Sequence, residues 1–217
     1  MTRKETFKER TRRARAVIAR LKKVYPDAST ALHHHSAIET LIATILSAQC
    51  TDERVNKVTI PLFKKYHTAY DYADASRSEL ENIIRSTGFY HAKAKNIINC
   101  CKKLIENHNG EVPDSMEELV QLPGVGRKTA NVVLGNYFRK AEGVVVDTHV
   151  KRISGRLGFT RETNPEKIEA DLAELIPKKD WISISNLLIL HGRSICKART
   201  PDCANCPVRA LCPAAPH

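Results

Sequence analysis

The sequence predicts an all-α protein. Apolar residues recur at helical spacing along most of the 217 residues, and no stretch shows the alternating pattern of a half-buried strand. Several of these patterns follow a typical helix start, such as Ser36-Ala-Ile-Glu39 or Asn164-Pro165. Hydrophobic residues make up 42% of the chain, which is enough for one large domain or two small ones.

The N-terminal part is expected to begin with a helix over residues 3–25, which Pro26 ends. A capping box at Ser36–Glu39 opens the second helix. The third helix follows Asp52, with a kink or a restart at Pro61, because proline lacks the N–H group that a helix interior uses.

The middle of the chain shows two further capping boxes. Ser76–Glu79 opens a short helix, and the glycine-containing segment Thr87–Tyr90 ends it. A long helix follows on the apolar residues from Ala94 to Ile105. The second box, Ser115–Glu118, opens a helix that stops at the turn Leu122–Gly126.

The C-terminal part begins with an extended segment, Gly143–Asp147, and a helix from Thr148. The pair Asn164-Pro165 supplies the N-cap and the first-turn proline of the next helix. The last long helix is expected over Trp181–Ile195, with Asp180 as its cap.

The charge of the chain points to a polyanionic partner. The net charge is +11, and it is concentrated at the two ends. Residues 1–23 hold ten Lys or Arg against two acids, and residues 191–217 hold four against one, so residues 24–190 are neutral overall. A fold that brings the termini together would create one basic face.

The sequence shows no membrane span and no signal peptide. No run approaches the roughly 20 apolar residues that cross a bilayer, and the basic N-terminus lacks an apolar core. A cytoplasmic protein with reduced thiols is therefore expected. In that compartment the seven cysteines are better explained by metal binding than by disulfides.

The stretch Leu122-Pro-Gly-Val-Gly126 is the first candidate site. Its proline and glycines favour a tight turn with uncovered backbone N–H groups. The helix that begins near Arg127 adds its own unpaired N–H groups and the positive end of its dipole, which suit a phosphate group. Lys128 lies in the first turn of that helix, and Asp147 follows an apolar run. Taken singly, these two residues are explained as a solvated lysine and a helix N-cap.

Four cysteines near the C-terminus form the second candidate site. Cys196, Cys203, Cys206 and Cys212 leave gaps of six, two and five residues. Four thiolates at this spacing can surround one metal centre, and both zinc and an iron–sulfur cluster accept four cysteines. Zinc sites more often use two close pairs of cysteines, and only one such pair is present here. The remaining cysteines are expected to be buried thiols: Cys50, Cys100 and Cys101.

Together, the turn, Lys128, Asp147 and the cysteine gaps resemble the endonuclease III family of the helix-hairpin-helix superfamily of DNA glycosylases, over nearly the whole chain. The resemblance implies that Lys128 is the nucleophile, that Asp147 assists it, and that the four cysteines hold a [4Fe–4S] cluster. It also implies that the hairpin grips DNA backbone through a group of neighbouring residues: Leu122, Gly124, Val125, Gly126 and Arg127.

Two further residues take a role from the same resemblance. Gln49, in the segment Ser47–Asp52, matches the glutamine that enters the space left by a flipped nucleotide. Phe89 matches an apolar wedge that enters the base stack, which must open before an enzyme can reach a base. By itself Gln49 is an ordinary polar residue at a helix end, so its role rests on the resemblance alone. The sequence explains Phe89 equally well as local core.

The function implied is removal of oxidised pyrimidines from duplex DNA, followed by β-elimination at the abasic site through a lysine Schiff base. The implied partner is double-stranded DNA that contains oxidised pyrimidines or abasic sites, bound by a monomer. The implied architecture has two helical domains flanking a DNA-binding cleft. One is a helical barrel with the hairpin, residues 30–140, and the other is an iron–sulfur domain, residues 1–29 and 141–217.

Two alternatives are kept. The first is a monofunctional adenine glycosylase of the same fold, and Lys128 argues against it because that branch lacks a lysine at this position. The second is a non-catalytic iron–sulfur module that binds DNA, which would need neither Lys128 nor Asp147.

Overall fold

The computed structural model describes residues 5–28, 31–140 and 142–216. Regular structure in these residues is helical, with no β-strand among them, so the predicted all-α class is confirmed for the described part of the chain. No described helix is long and apolar enough to cross a membrane.

The α-helices are α1 (Phe7–Val24), α2 (Ala37–Leu46), α3 (Asp52–Lys65), α4 (Ala69–Ala73), α5 (Arg77–Ile84), α6 (Tyr90–His108), α7 (Met116–Leu119), α8 (Arg127–Asn136), α9 (Thr148–Arg156), α10 (Pro165–Leu175) and α11 (Trp181–Ser194). Short 3-10 helices cover Arg85–Thr87, Lys178–Asp180 and Arg209–Leu211.

The chain divides into two compact units. Residues 30–142 form the first, which we call the hairpin unit because it contains α7, α8 and the turn between them. Residues 1–29 join residues 143–217 to form the second, which we call the terminal unit. Both of the basic ends seen in the sequence thus belong to the terminal unit.

Helix α2 is the centre of the hairpin unit. Eight of its ten residues are buried, and a helix that is hydrophobic on all sides belongs in a protein interior. It packs against α3, α6 and α8. The C-terminal end of α2, from which the segment Ser47–Thr51 leaves, is therefore surrounded by other helices of the same unit.

In the terminal unit α1 packs against α10 and α11, and α11 packs closely against α9. Gly192 of α11 lies at the closest approach. A Cβ atom at this position would lie 2.6 Å from Nδ1 of His149 and 2.8 Å from Cδ1 of Ile153. A larger residue here would force side chains of α9 to move, so glycine suits the close packing of α9 against α11.

Helix starts that depend on local capping are confirmed. The side chains of Ser36 and Asn164 accept hydrogen bonds from backbone N–H groups in the first turns of α2 and α10. Helix α1 begins at Phe7 rather than at residue 3, because Thr6 and Glu9 form a capping box. Residues 3 and 4 of the expected helix lie outside the described part of the chain.

For two of the expected N-caps, the predicted side-chain hydrogen bond is absent. Ser76 and Asp180 precede α5 and α11, but neither side chain caps its helix. Glu79, the other half of the expected box, pairs with Lys65. The carboxylate of Asp180 lies 2.6 Å from Nζ of Lys22. The hydroxyl of Ser76 instead lies 3.0 Å from that of Ser78, so only for Asp180 does an ion pair with a distant residue replace the capping hydrogen bond of the side chain itself.

Helices α3 and α4 also differ from expectation. Helix α3 continues through Pro61 to Lys65, so the helix does not restart there. Helix α4, Ala69–Ala73, was not predicted. Its five residues are too few to show an apolar repeat, although a capping box at Thr68 and Asp71 marks its start.

Gly192→Ala should destabilise the terminal unit, because the added methyl group collides with His149 and Ile153 of α9. Overpacking of this kind costs about 1–3 kcal/mol and lowers the melting temperature. Gly155→Ala is the matched control, since a Cβ at Gly155 inside α9 meets nothing within 4 Å. That change should stabilise the helix by about 0.5–1 kcal/mol. Thermal unfolding followed by circular dichroism measures both, and equal melting temperatures would contradict the close approach.

Candidate functional site

The turn between α7 and α8 is tight, as predicted. The N–H group of Val125 donates to the carbonyl oxygen of Leu122 over 3.0 Å. Gly124 has a φ of +79°, and a Cβ there would lie 2.8 Å from Cβ of Asn96 on α6, so glycine allows the turn to pack against α6. The side chains of Leu122 and Val125 are buried. These two residues can therefore present only their backbone to a partner.

The N-terminal end of α8 is exposed. Gly126 is its N-cap and has no side chain that could cap the first turn, and a Cβ there would meet nothing within 4 Å. Gly126, Arg127 and Lys128 are all exposed. Uncapped N–H groups and the positive end of a helix dipole suit an anion at this end of the helix.

Asp147 is the N-cap of α9, in the terminal unit. Its Oδ1 accepts a hydrogen bond of 2.8 Å from the N–H group of Val150, and the residue is half-buried. The prediction from the sequence that Asp147 is a helix N-cap is therefore correct for Oδ1. The same hydrogen bond holds the carboxylate in one orientation, which a positioned functional group also requires.

Gln49 and Phe89 have the same unusual backbone conformation. Their φ angles are 52° and 49°, in the left-handed region, which costs a residue other than glycine about 1–3 kcal/mol. Both residues are exposed, and Phe89 is 65% exposed. The alternative that Phe89 packs as local core is therefore wrong. Strain held at two exposed residues is typical of functional segments.

The four C-terminal cysteines line one cavity in the terminal unit. Cys196, Cys203, Cys206 and Cys212 surround a volume of about 70 Å³, together with apolar residues such as Ile153. Within the described residues, no three or more His, Cys, Asp or Glu side chains are grouped so that they could hold a metal ion. The four thiols therefore share a cavity without converging on one point.

An arginine and a histidine approach the sulfur atoms. Nη1 of Arg156 donates to Sγ of Cys196 over 3.2 Å, and Nε2 of His191 lies 3.6 Å from Sγ of Cys206. Burial raises the pKa of Cys206, and burial also lowers the pKa of His191. These contacts resemble the hydrogen bonds that orient the ligands of metal centres and tune their charge.

Arginines hold the loop that carries these cysteines. Arg156 donates to the carbonyl oxygens of Lys197 and Ala198, in both cases over 2.8 Å. Arg152 donates to the carbonyl oxygen of Cys196 over 3.1 Å, and Arg13 of α1 donates to that of Leu211 over 3.1 Å. Sequence reasoning missed these residues. The only sequence signal was the helical spacing that places Arg152 and Arg156 on one face of α9.

The other three cysteines follow expectation in part. Cys100 and Cys101 are buried, and burial raises the pKa of Cys100 to about 12 and also raises that of Cys101. Cys50 is only half-buried. The two buried thiols are therefore poor nucleophiles and poor metal ligands, because both roles need the thiolate.

Comparison with known proteins identifies the family. Residues 42–178 match the HhH-GPD superfamily of base excision DNA repair proteins. Endonuclease III of Synechocystis sp. (strain PCC 6803) is 54% identical over 203 residues, which cover 94% of this chain and 93% of the relative. The chain belongs to this superfamily, and within it to the endonuclease III family.

Other members of the endonuclease III family agree in sequence and structure. Endonuclease III of Escherichia coli K12 is 41% identical over 196 residues, covering 90% of this chain and 92% of the relative. A structure of a trapped endonuclease III–DNA covalent intermediate superposes with a TM-score of 0.87 at 46% identity. That alignment covers 94% of this chain and 96% of the other.

The superfamily region contains the candidate residues of the hairpin and its surroundings. Gln49, Phe89, Lys128 and Asp147 all lie within residues 42–178. The cysteine loop lies beyond residue 178, outside the superfamily region, whereas the alignments with endonuclease III family members cover 94% of the chain.

Proposed function

We propose that this chain is a base excision repair enzyme that removes oxidised pyrimidines from duplex DNA and then cleaves the strand at the abasic site. Membership of the endonuclease III family, together with the exposed Lys128 at the start of α8, carries the proposal. One similar structure is a trapped covalent intermediate of endonuclease III with DNA. Such an intermediate requires a nucleophilic side chain, and Lys128 is the residue proposed here.

Lys128 acts first as a nucleophile. Its neutral amine attacks the anomeric carbon of the sugar, and the base leaves with the electron pair of the glycosidic bond and takes up a proton. Loss of the amine proton and opening of the sugar ring give a Schiff base between Nζ and that carbon. Removal of a proton from the next sugar carbon then expels the 3′-phosphate oxygen and cuts the strand. Water finally hydrolyses the Schiff base and releases the lysine.

Asp147 stabilises the cationic character that develops at the sugar, and its carboxylate assists proton transfer. The hydrogen bond from Val150 supports this role because it fixes Oδ1, and Oδ2 can face the reaction. The capping role and the proposed catalytic role thus use different oxygens of one carboxylate.

Recognition uses the hairpin and the two strained segments. Backbone N–H groups of the turn that contains Gly124 and Gly126, and of the first turn of α8, bind phosphate groups. Phe89 enters the base stack as a wedge, and Gln49 fills the space left by the extruded nucleotide. The exposure of both side chains supports these roles.

The cysteine cavity fits a [4Fe–4S] cluster. Cys196, Cys203, Cys206 and Cys212, which line one cavity, would hold the cluster through their thiolates. A single zinc ion would instead need four ligand atoms at about 2.0–2.3 Å from one point. Bound by Cys196, Cys203, Cys206 and Cys212, the cluster would cross-link the loop at four places. The side chains of Arg156 and His191 would then reach its thiolate ligands.

The two parts of the chain divide these tasks. We assign residues 30–140 to a helical barrel domain with the hairpin, and residues 1–29 and 141–217 to an iron–sulfur domain. The protein is proposed to act as a monomer in the cytoplasm, on DNA of the nucleoid.

Lys128→Gln should abolish strand cleavage and covalent trapping by borohydride, because the amide cannot form a Schiff base. DNA binding should persist, since the hairpin N–H groups remain. Lys102→Gln, which changes an exposed lysine on α6, is the control and should trap normally. Substantial trapping by the Lys128 variant would assign the nucleophile to another residue. Base release without any lyase activity in the wild-type protein would favour the monofunctional alternative.

The variant Asp147→Asn distinguishes two roles of Asp147, that of a helix N-cap and that of a catalytic charge. Asparagine caps a helix about as well as aspartate, so a residue that only caps would leave base release nearly normal. Removal of a preorganised charge should instead slow base release on the order of a hundredfold. Single-turnover rates decide between the two outcomes, and a melting temperature close to that of the wild type would show that the cap is intact.

Protein purified without oxygen should be brown and contain iron and acid-labile sulfide in about equal amounts. Cys203→Ala should remove both, whereas Cys100→Ala, at a buried thiol of the hairpin unit, should keep them. Metal analysis and absorption spectra provide the measurement. One zinc per chain and no iron would show that the cavity holds a different metal.

Binding to undamaged DNA should be weak and steeply dependent on salt, because the cations of the terminal unit attract it. Lys8, Arg12 and Arg15 are exposed on α1, whereas Arg13 is bound to Glu5 and to backbone. Changing these three exposed residues to Gln should reduce the slope of log K against log salt by about 0.9 for each phosphate group that is no longer neutralised. An unchanged slope would show that these cations do not bind DNA.

A further inference from the structure

Lys93 is a buried cation on α6, in the hairpin unit. The residue is only 5% exposed, and its Nζ donates to the carbonyl oxygens of Leu46 and Thr87, in both cases over 2.8 Å. Lysine is almost never buried unless its charge is compensated. Burial lowers the pKa of Lys93, which shows that the charge is held at a cost. The two carbonyl oxygens offset that cost.

The two carbonyl groups belong to helix ends. Leu46 is the last residue of α2, and Thr87 is the last residue of the 3-10 helix Arg85–Thr87. Carbonyl groups at a helix end lack intrahelical donors and lie at the negative end of the dipole, so both favour a cation. One ammonium group therefore joins two helix ends that are distant in the sequence.

Each of these helix ends leads directly into a strained, exposed residue. Gln49 comes three residues after Leu46, and Phe89 comes two residues after Thr87. The backbone N–H group of Lys93 also donates to the carbonyl oxygen of Phe89 over 3.0 Å. Lys93 thus holds the turn of Phe89 through its backbone and its side chain, and it holds the segment of Gln49 through its side chain.

We propose that Lys93 is a positioning residue that keeps the segments Ser47–Thr51 and Thr87–Phe89 in one arrangement, so that Gln49 and Phe89 enter the base stack together. The inference rests on the proposed function, because it takes Phe89 as the wedge and Gln49 as the residue that fills the gap. Because Lys93 is buried, the role proposed for it involves no contact with the sugar or the base. Its effect is on base extrusion rather than on the chemical steps that Lys128 carries out.

Lys93→Met tests the proposal. Methionine has a similar length, suits a helix and packs in an apolar core, but it cannot donate to either carbonyl oxygen. Base release from an oxidised pyrimidine in duplex DNA should slow by about tenfold to a hundredfold, since a misplacement of about 1 Å can cost that much. Strand cleavage at a preformed abasic site should stay within about twofold, because no base has to be extruded. Lys102→Met, the same change at an exposed position of α6, is the control.

A double-mutant cycle with Phe89→Ala distinguishes positioning from general stability. If Lys93 acts through Phe89, the double variant should release base about as slowly as the slower single variant. If the two substitutions acted independently, their fold-reductions in the rate of base release would multiply, and that result would overturn the proposal. Equal slowing of Lys93→Met on duplex and abasic DNA, together with a lower melting temperature, would also overturn it.

The proposed function and this inference can fail separately. If Phe89→Ala has no selective effect on duplex DNA, the wedge assignment and this inference both fail, while trapping through Lys128 on abasic DNA is unaffected. If Lys93→Met does not fold, Lys93→Gln carries the test by the same criteria. Its amide can still donate to one carbonyl oxygen, so an intermediate reduction of the rate on duplex DNA is expected.

Discussion

Hydrogen bonds from buried or half-buried cations to backbone carbonyl groups hold helix ends and loops in both units of this structure. A helix leaves its last carbonyl groups without partners, and an all-α chain has no sheet in which its loops could pair. In the terminal unit Arg13 binds the carbonyl group that ends the 3-10 helix Arg209–Leu211, and Arg152 and Arg156 bind carbonyl groups of the loop after α11. In the hairpin unit Lys93 binds the carbonyl groups that end α2 and the 3-10 helix Arg85–Thr87. Hydrogen bonds to charged groups contribute about 1.5–3 kcal/mol each, which is enough to order a loop.

The position of the candidate functional groups follows from these hydrogen bonds. Helix α9 has Asp147 at its first end and Arg156 at its last, so one rigid element orients the carboxylate and holds the cysteine loop. The packing of α9 against Gly192 fixes that element in turn. In the hairpin unit the buried helix α2 is the rigid element that positions Gln49, because the segment Ser47–Thr51 starts at its C-terminal end.

The sequence predicted the fold well wherever a local interaction decided it. Ser36 and Asn164 cap their helices through backbone N–H groups that lie two or three residues further along the chain. Asp180 was expected to cap α11, yet it pairs with Lys22, a residue far away in the sequence. Such a pair cannot be read from a local pattern. The hairpin turn was predictable for the same reason as the caps, since glycine and proline determine backbone geometry by themselves.

Lys93 was not predicted, although it lies on the apolar face of α6 with Ile97 and Leu104. A lysine in an apolar repeat is a sequence signal, but its partners are backbone carbonyl groups, which every residue has, so the sequence cannot reveal them. The wedge role proposed for Phe89 gives a physical reason for such a residue. A wedge that enters a base stack must be exposed before DNA binds, so packing cannot hold it in place. Phe89 is 65% exposed in a left-handed conformation, and its position is therefore determined by the backbone beneath it. A buried cation can hold that backbone without covering the ring.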